Sequence, residues 1–262
     1  MRFFTLTLTA LVVAAGAVVA SDDMTIVTKH SQNGKETGTT TSYISSDHVR
    51  MAQDQGHETI VDLKTGVMTT LDGKKKTYYV VTKQDMERLK VKIQERMNDP
   101  EMKKAMEAMA SMSAGMATSF DVKKTGTSRK VAGYGCEEWM ITMGTLSTTR
   151  ECVTSELQYP VHAWDTYKEL FESMRSMMSA FSPMAKGGAE LAEKVKNMKG
   201  FPLATTTAMD IMGNKTTIAS EVIEVRRTSI SPSAWEISAG YTKVENPMLK
   251  AFESHGERHP HS

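Results

Sequence analysis

Thioether sulfur is the most conspicuous reactive group in this chain. Between Glu101 and Met116 the run EMKKAMEAMASMSAGM carries Met102, Met106, Met109, Met112 and Met116. At helical pitch these five side chains fall within about 120° of arc, while Lys103, Lys104, Glu107 and Ser111 take the opposite side. Such a stripe admits three readings. It is the buried face of a helix, with Met as an adaptable filler. Or it is one wall of a malleable apolar groove for an acyl chain or a partner's apolar segment. Or it offers soft ligands to Cu(I). The smooth spacing among alanines favours the apolar readings over a compact metal cluster.

A second stripe has the same character. VHAWDTYKELFESMRSMMSAF places Trp164, Tyr167, Phe171, Met174, Met178 and Phe181 along one helical face. The candidate ligand-binding residues are therefore Met102, Met106, Met109 and Met112 on the first stripe. On the second they are Trp164, Phe171, Met174 and Met178. The expected ligand is an apolar small molecule, a lipid or a lipidated protein, with no cofactor and no resident metal.

Other reactive groups are sparse. His255, His259 and His261 sit in a terminal HGERHPH tract, and His30, His48, His57 and His162 are scattered. No HExxH, GxSxG, Walker or dinucleotide-binding loop occurs, and Glu137 and Glu138 are strand neighbours on opposite faces, so no catalytic residues are assigned and the expectation is a non-enzyme. Lys74, Lys75 and Lys76 read as a solvated turn. Asn214-Lys215-Thr216 is a formal glycosylation sequon, relevant only in a eukaryotic secretory pathway.

Cys136 and Cys152 are the only cysteines. CEEWMITM and STTRECV read as two strands around Gly144, so facing residues have numbers summing to 288. That register pairs Cys136 with Cys152 and Glu138 with Arg150, but sets Glu137 against Glu151. It needs a three-residue loop, Met143-Gly144-Thr145. The resulting disulfide would stabilise the fold by roughly 3 kcal/mol.

These groups need elements to hold them. MRFFTLTLTALVVAAGAVVA reads as a signal peptide over residues 1–20, with no cysteine at the cleavage point for lipidation. The expected location is the periplasm or the exterior, as a soluble monomer that spans no membrane once the signal is removed. Without Arg2, 31 basic residues balance 31 acidic ones, a poor footing for nucleic acid. From Met24 to Thr82, β-like segments alternate with the turn signals Gln32-Asn33-Gly34, Asp54-Gln55-Gly56, Thr65-Gly66 and Asp72-Gly73. QDMERLKVKIQERM then places Met86, Leu89, Ile93 and Met97 on a helix face, and Asp99-Pro100 caps and starts a second helix. A second β block runs from Thr118 to about Leu157. After the second helical region come LATTTAMDIM and TTIASEVIEVRRTSI, joined at Gly213-Asn214.

The expected fold class is α+β, with a curved antiparallel sheet whose concave face is covered by helices. A single domain over 21–245 carries helical insertions at about 83–115 and 162–199, and a polar flexible tail occupies 246–262. VRMAQ with IVDLKTGVMTTLDGKKKTYY, then VAGYGCEEW, then SPSAWEISAGYTKV resemble the landmarks of an exported bacterial family catalogued as domain of unknown function 4412. That family resembles the periplasmic lipoprotein carriers, which implies a half-open barrel capped by helices. The resemblance carries no catalytic residues. Three functions stay open: an apolar-ligand carrier or sensor, a methionine-based Cu(I)-binding protein, and a structural or interaction domain of the cell envelope.

Overall fold

The computed structural model describes residues 22–113, 120–158, 194, 198–211, 213–247 and 249–250. Its first block is a meander: β1 (Met24–Gln32), β2 (Lys35–Ile44), β3 (His48–Gln53), β4 (His57–Asp62), β5 (Val67–Asp72) and β6 (Thr77–Val81). Thr, Val and Ile alternate between faces here, and each predicted turn falls between strands. At the first turn Asn33 (φ 51°) and Gly34 (φ 77°) both adopt the left-handed conformation that a two-residue hairpin demands.

Two helices follow, α1 (Lys83–Asn98) and α2 (Pro100–Ser113). Thr82 caps α1 in a capping box: its hydroxyl accepts from the Asp85 N–H, while the Asp85 carboxylate accepts from the Thr82 N–H at 2.9 Å. Asp99 caps α2 as expected, its Oδ1 accepting from Glu101 N–H (2.9 Å) and Met102 N–H (3.2 Å).

The remaining strands are β7 (Phe120–Val131), β8 (Tyr134–Met143), β9 (Ser147–Thr154), β10 (Phe201–Ile211), β11 (Asn214–Arg226) and the two-residue β12 (Thr242–Lys243). All twelve form one open sheet in the order β12-β6-β5-β4-β3-β2-β1-β11-β10-β9-β8-β7. Every pairing is antiparallel except β12 with β6. The sheet does not close, and β1 lies at its centre with Met24, Thr25 and Ile26 all buried.

The β8–β9 hairpin corrects the expected register. Facing residues sum to 290, so Glu138 lies opposite Cys152 and Met143 opposite Ser147. Gly144, at φ 49°, takes the first loop position and the Leu146 N–H donates to the Met143 carbonyl at 3.0 Å. The two-residue shift removes the Glu137–Glu151 clash: Glu137 now faces Val153, and Glu151 faces Trp139. It also separates Glu138 from Arg150. The disulfide survives as a diagonal bridge, Cys136 to Cys152, with the Cα atoms 5.4 Å apart.

The β7–β11 half is strongly curled. Arg129 on β7 and Glu221 on β11 are four strand positions apart, ~19 Å in a flat sheet, yet their side chains form an ion pair at 2.9 Å. Following directly paired residues, Arg129, Cys136, Cys152, Ala204 and Glu221 share the face of Thr25, which is thus the inside of the curl. Cys136, Cys152 and Ala204 are buried there. Ile223 and Leu203 are extra residues at β-bulges in β11 and β10, which add local twist to this half.

After β11 the chain crosses the Thr25 face of β3–β6 as a strap. Arg50 anchors it: Nη1 donates to the Ala234 carbonyl at 2.5 Å, while Nε donates to Glu58 at 2.8 Å. Trp235, in a 3-10 turn at Pro232–Trp235, stacks on His48 at 5.2 Å between ring centroids. The strap ends as β12, where Thr242 and Val244 N–H groups donate to the carbonyls of Lys76 and Tyr78.

The described helices do not lie over the sheet's core. Leu89 and Ile93, the buried residues of α1, form a separate small cluster with Leu249, against which Met97 packs. An apolar stripe this narrow is satisfied by one residue from the strap's continuation. Asn246 and Leu249, at the start of the segment read as a loose tail, are buried.

Candidate binding surface

Where the apolar side chains gather follows from register. Met24, Ile44, Val49, Val61, Met68 and Val81 are directly opposite one another on β1 to β6, an unbroken apolar row on one face. Met24, Ile44, Val49 and Val61 are buried, whereas Met68 and Val81, nearest the sheet edge, are half-exposed. The next row on that face is mixed: Ile26, Ser42, Met51, Thr59, Thr70 and Tyr79. The third, Thr28, Thr40 and Gln53, is polar. Polarity therefore grades along the strands.

The other strands repeat this at the same end. Val131, Cys136, Cys152, Leu157, Phe201 and Leu203 are buried and join Met24, Ile44, Val49 and Val61 in one cluster. The opposite end is threonine-rich, and Thr149 and Thr207 share a hydroxyl–hydroxyl hydrogen bond at 2.9 Å. The sheet has one apolar end and one polar end.

Of the expected ligand-facing residues, Met102 is half-exposed on α2, and Met106, Met109 and Met112 follow it along that helix. Trp164, Phe171, Met174 and Met178 lie outside the described residues. Sequence reasoning missed the cross-strand row, because it emerges only when six strands are set in register.

The charged groups divide by environment. Burial pushes the Glu151 carboxyl above its usual range, only partly offset by the Thr205 hydroxyl at 3.4 Å. Asp85 is held down at about 2 by the Thr82 hydroxyl and N–H and by Arg88. Asp54 is lowered by the hydroxyl and N–H of Thr39, both at 2.6 Å. Among the described residues no group of three or more His, Cys, Asp or Glu side chains is placed to hold a metal ion. Nor is any described helix long and apolar enough to cross a membrane.

An open depression of 710 Å3 lies on β7–β9. Lys124, Arg129, Lys130, Lys199, Glu137 and Glu156 form its rim, and Trp139, Cys136 and Val153 contribute its apolar surface. Lys124 is pinned between the Glu137 carboxylate, 2.5 Å away, and the Trp139 ring, 5.4 Å from the centroid.

The chain is thus an open antiparallel-sheet protein whose apolar side chains converge at one end of the sheet. It belongs to the family described as Domain of unknown function (DUF4412), which matches residues 23–241. The landmarks shared with that family turn out to be joints of the fold. Gly73 packs so closely that a Cβ would stand 2.7 Å from the Gly56 carbonyl oxygen and 3.3 Å from the Tyr241 hydroxyl. Lys76 sits over the Tyr241 ring at 4.9 Å. The Val131–Trp139 stretch holds the β7–β8 turn and one half of the disulfide.

No curated protein matches the chain. Solved structures similar to it include PNGF-II, at 12% identity over 88% of this chain and 32% of that one, with a TM-score of 0.38. MucB aligns at 11% identity over 85% of this chain and 59% of that one, also with a TM-score of 0.38. The MucA/MucB complex of Pseudomonas aeruginosa gives 12% identity, 85% and 58% coverage, and a TM-score of 0.40. The chain spans between about a third and three-fifths of the length of these proteins.

Proposed function

We propose that the protein is an exported carrier-like binding protein that holds an apolar ligand, a lipid or a lipidated protein, at the apolar end of its sheet. The observation that carries this reading is the unbroken row from Met24 to Val81, fully buried at the sheet's centre and half-exposed at Met68 and Val81. Binding there is driven by removing apolar area from water, at about 25 cal/mol per Å2. In this reading the α1–α2 pair is a separable flank, since the buried residues described on α1 cluster with Leu249 and not with the sheet. In this proposal Met102, Met106, Met109 and Met112 face the ligand when that flank closes, and Trp164, Phe171, Met174 and Met178 supply a further wall. The protein binds its ligand and does not transform it. The Cys136–Cys152 bridge supports an oxidising compartment, and residues 1–20 act as the export signal.

Native mass spectrometry of protein purified from its own cell envelope without detergent tests this directly. A reproducible added mass that extracts into solvent as lipid is expected. Val81→Lys should lose it with little change in stability, because Val81 is half-buried at the sheet's margin and lies outside the main core cluster. Added mass in copper steps, abolished by Leu at Met102, Met106 and Met109, would move the assignment to metal handling; for a carrier those changes are nearly neutral. A clean apo mass that persists after incubation with envelope lipids and Cu(I) overturns the proposal and leaves an interaction domain.

A further inference from the structure

The depression on β7–β9 is unexplained by an apolar ligand alone. It lies on the same face of the sheet as the apolar row. From His30, on the Met24 side of β1, directly paired residues run through Ser220, Thr205, Glu151 and Trp139 to Lys124. Lys124, Ser128, Glu137, Trp139 and Val153 of its lining share that face, whereas Arg129 and Cys136 belong to the inner face of the curl. From β1 to β8 is four strand spacings, ~19 Å along the sheet. That is close to the ~15 Å depth of one bilayer leaflet, and so within reach of an ordinary acyl chain.

The charges around the depression are not balanced pairwise. Lys124 is neutralised by Glu137, and Arg129 by Glu221. Lys130 and Lys199 are exposed on the rim and form no ion pair among the described residues. Glu156 is the one opposing carboxylate left on the rim, its Oε1 lying 3.0 Å from where a Gly135 Cβ would stand. Two free ammonium groups, the hydroxyl-bearing Ser128 and Ser155, and the amphipathic Trp139 ring make a lining suited to an anion attached to an apolar body.

Resting on the carrier reading, we infer that the ligand is an anionic amphiphile. Its phosphate or carboxylate headgroup sits in this depression against Lys130 and Lys199, and its chain runs into the apolar end of the sheet.

The test uses the whole protein, dodecanoate, its neutral counterpart dodecanol, and inorganic phosphate as probes, with binding followed by titration calorimetry. At low salt dodecanoate is expected to bind about tenfold more tightly than dodecanol, and the difference should shrink as salt is added. K130E/K199E should remove the preference and leave dodecanol binding unchanged. Both residues are exposed, and the milder K130Q/K199Q should show the same loss in part. Equal affinity for the two amphiphiles, or a preference that survives in K130E/K199E, overturns the inference while the carrier reading stands. Phosphate displacing dodecanoate at comparable concentration also overturns it, by making the depression a site for free anions. Failure of both amphiphiles to bind overturns the carrier reading itself, and the inference with it.

Discussion

The sheet and the α1–α2 pair are built to very different tolerances. The main core draws buried residues from strands across the whole sheet, from Val61 on β4 through Met24 on β1 to Val131 on β7, and a disulfide locks it. Among the described residues, the buried cluster of the helix pair is Leu89 and Ile93 with Leu249, and Met97 at the margin. A side chain in the first cluster has many partners; one in the second has two or three. The difference teaches that the protein has one cooperative body and one detachable flank. Segments with few buried contacts open at a fraction of the global unfolding free energy.

The largest expected effect belongs to the body. Removing the bridge with the double change Cys136→Ala and Cys152→Ala should lower global stability by about 3 kcal/mol, because it releases a cross-link between buried positions sixteen residues apart. The shift should be visible in denaturant unfolding followed by the far-ultraviolet signal of the sheet. A midpoint unchanged from the parent would show that the curled half is held by packing alone, and would weaken the division drawn above.

A change of intermediate size separates the two regions. Leu249→Ala should cost about 2 kcal/mol or more, and the loss should be local. Amide exchange in α1 should accelerate roughly thirtyfold or more, while the amides of β1, β2 and β11 keep their protection. If the sheet amides speed up in step with α1, the flank is part of the cooperative body and cannot serve as a separable lid.

That cluster also shows what could be read from the chain and what could not. The six strands of the meander were legible to within a few residues, because alternating Thr, Val and Ile are bounded by Asn-Gly and Asp-Gly turns. The Asp99-Pro100 boundary was legible too, since both residues act on the backbone next to them. The cysteine pairing came out correctly from a register two residues in error, because a diagonal pair is also within bridging distance. Leu249 was hidden: it sits in the short apolar stretch Met248-Leu249-Lys250-Ala251-Phe252, too brief to outweigh the ESHGERHPHS that follows, whose composition reads as solvated tail. The placement of β1 beside β11 has no local signal at all, as nearly two hundred residues separate them. The candidate site suffered most. Methionine stripes are visible at helical spacing, whereas the row from Met24 to Val81 exists only across strands. The Arg129–Glu221 pair depends on a curl that no residue announces.

The smallest expected effect sharpens the comparison by pH. Asp85 accepts hydrogen bonds from the Thr82 N–H and hydroxyl and pairs with Arg88 at 2.6 Å, which holds its carboxyl at about 2. An unstructured Asp titrates near ~3.9. A folded value below the unfolded one means that the cap's contribution is complete above about pH 4 and is lost as pH falls through about 2. Acidification should therefore loosen the start of α1 beyond any change in the sheet, read as amide exchange from Met86 to Leu89. Thr82→Ala should cost α1 about 1 kcal/mol at neutral pH. Asp85→Asn should make the same amides exchange faster at neutral pH and flatten their dependence between pH 4 and 2. If the acid sensitivity of α1 survives in Asp85→Asn, the capping box does not control it. The loosening must then be sought at Leu249, the flank's other attachment, where no titrating group is needed to hold the helix.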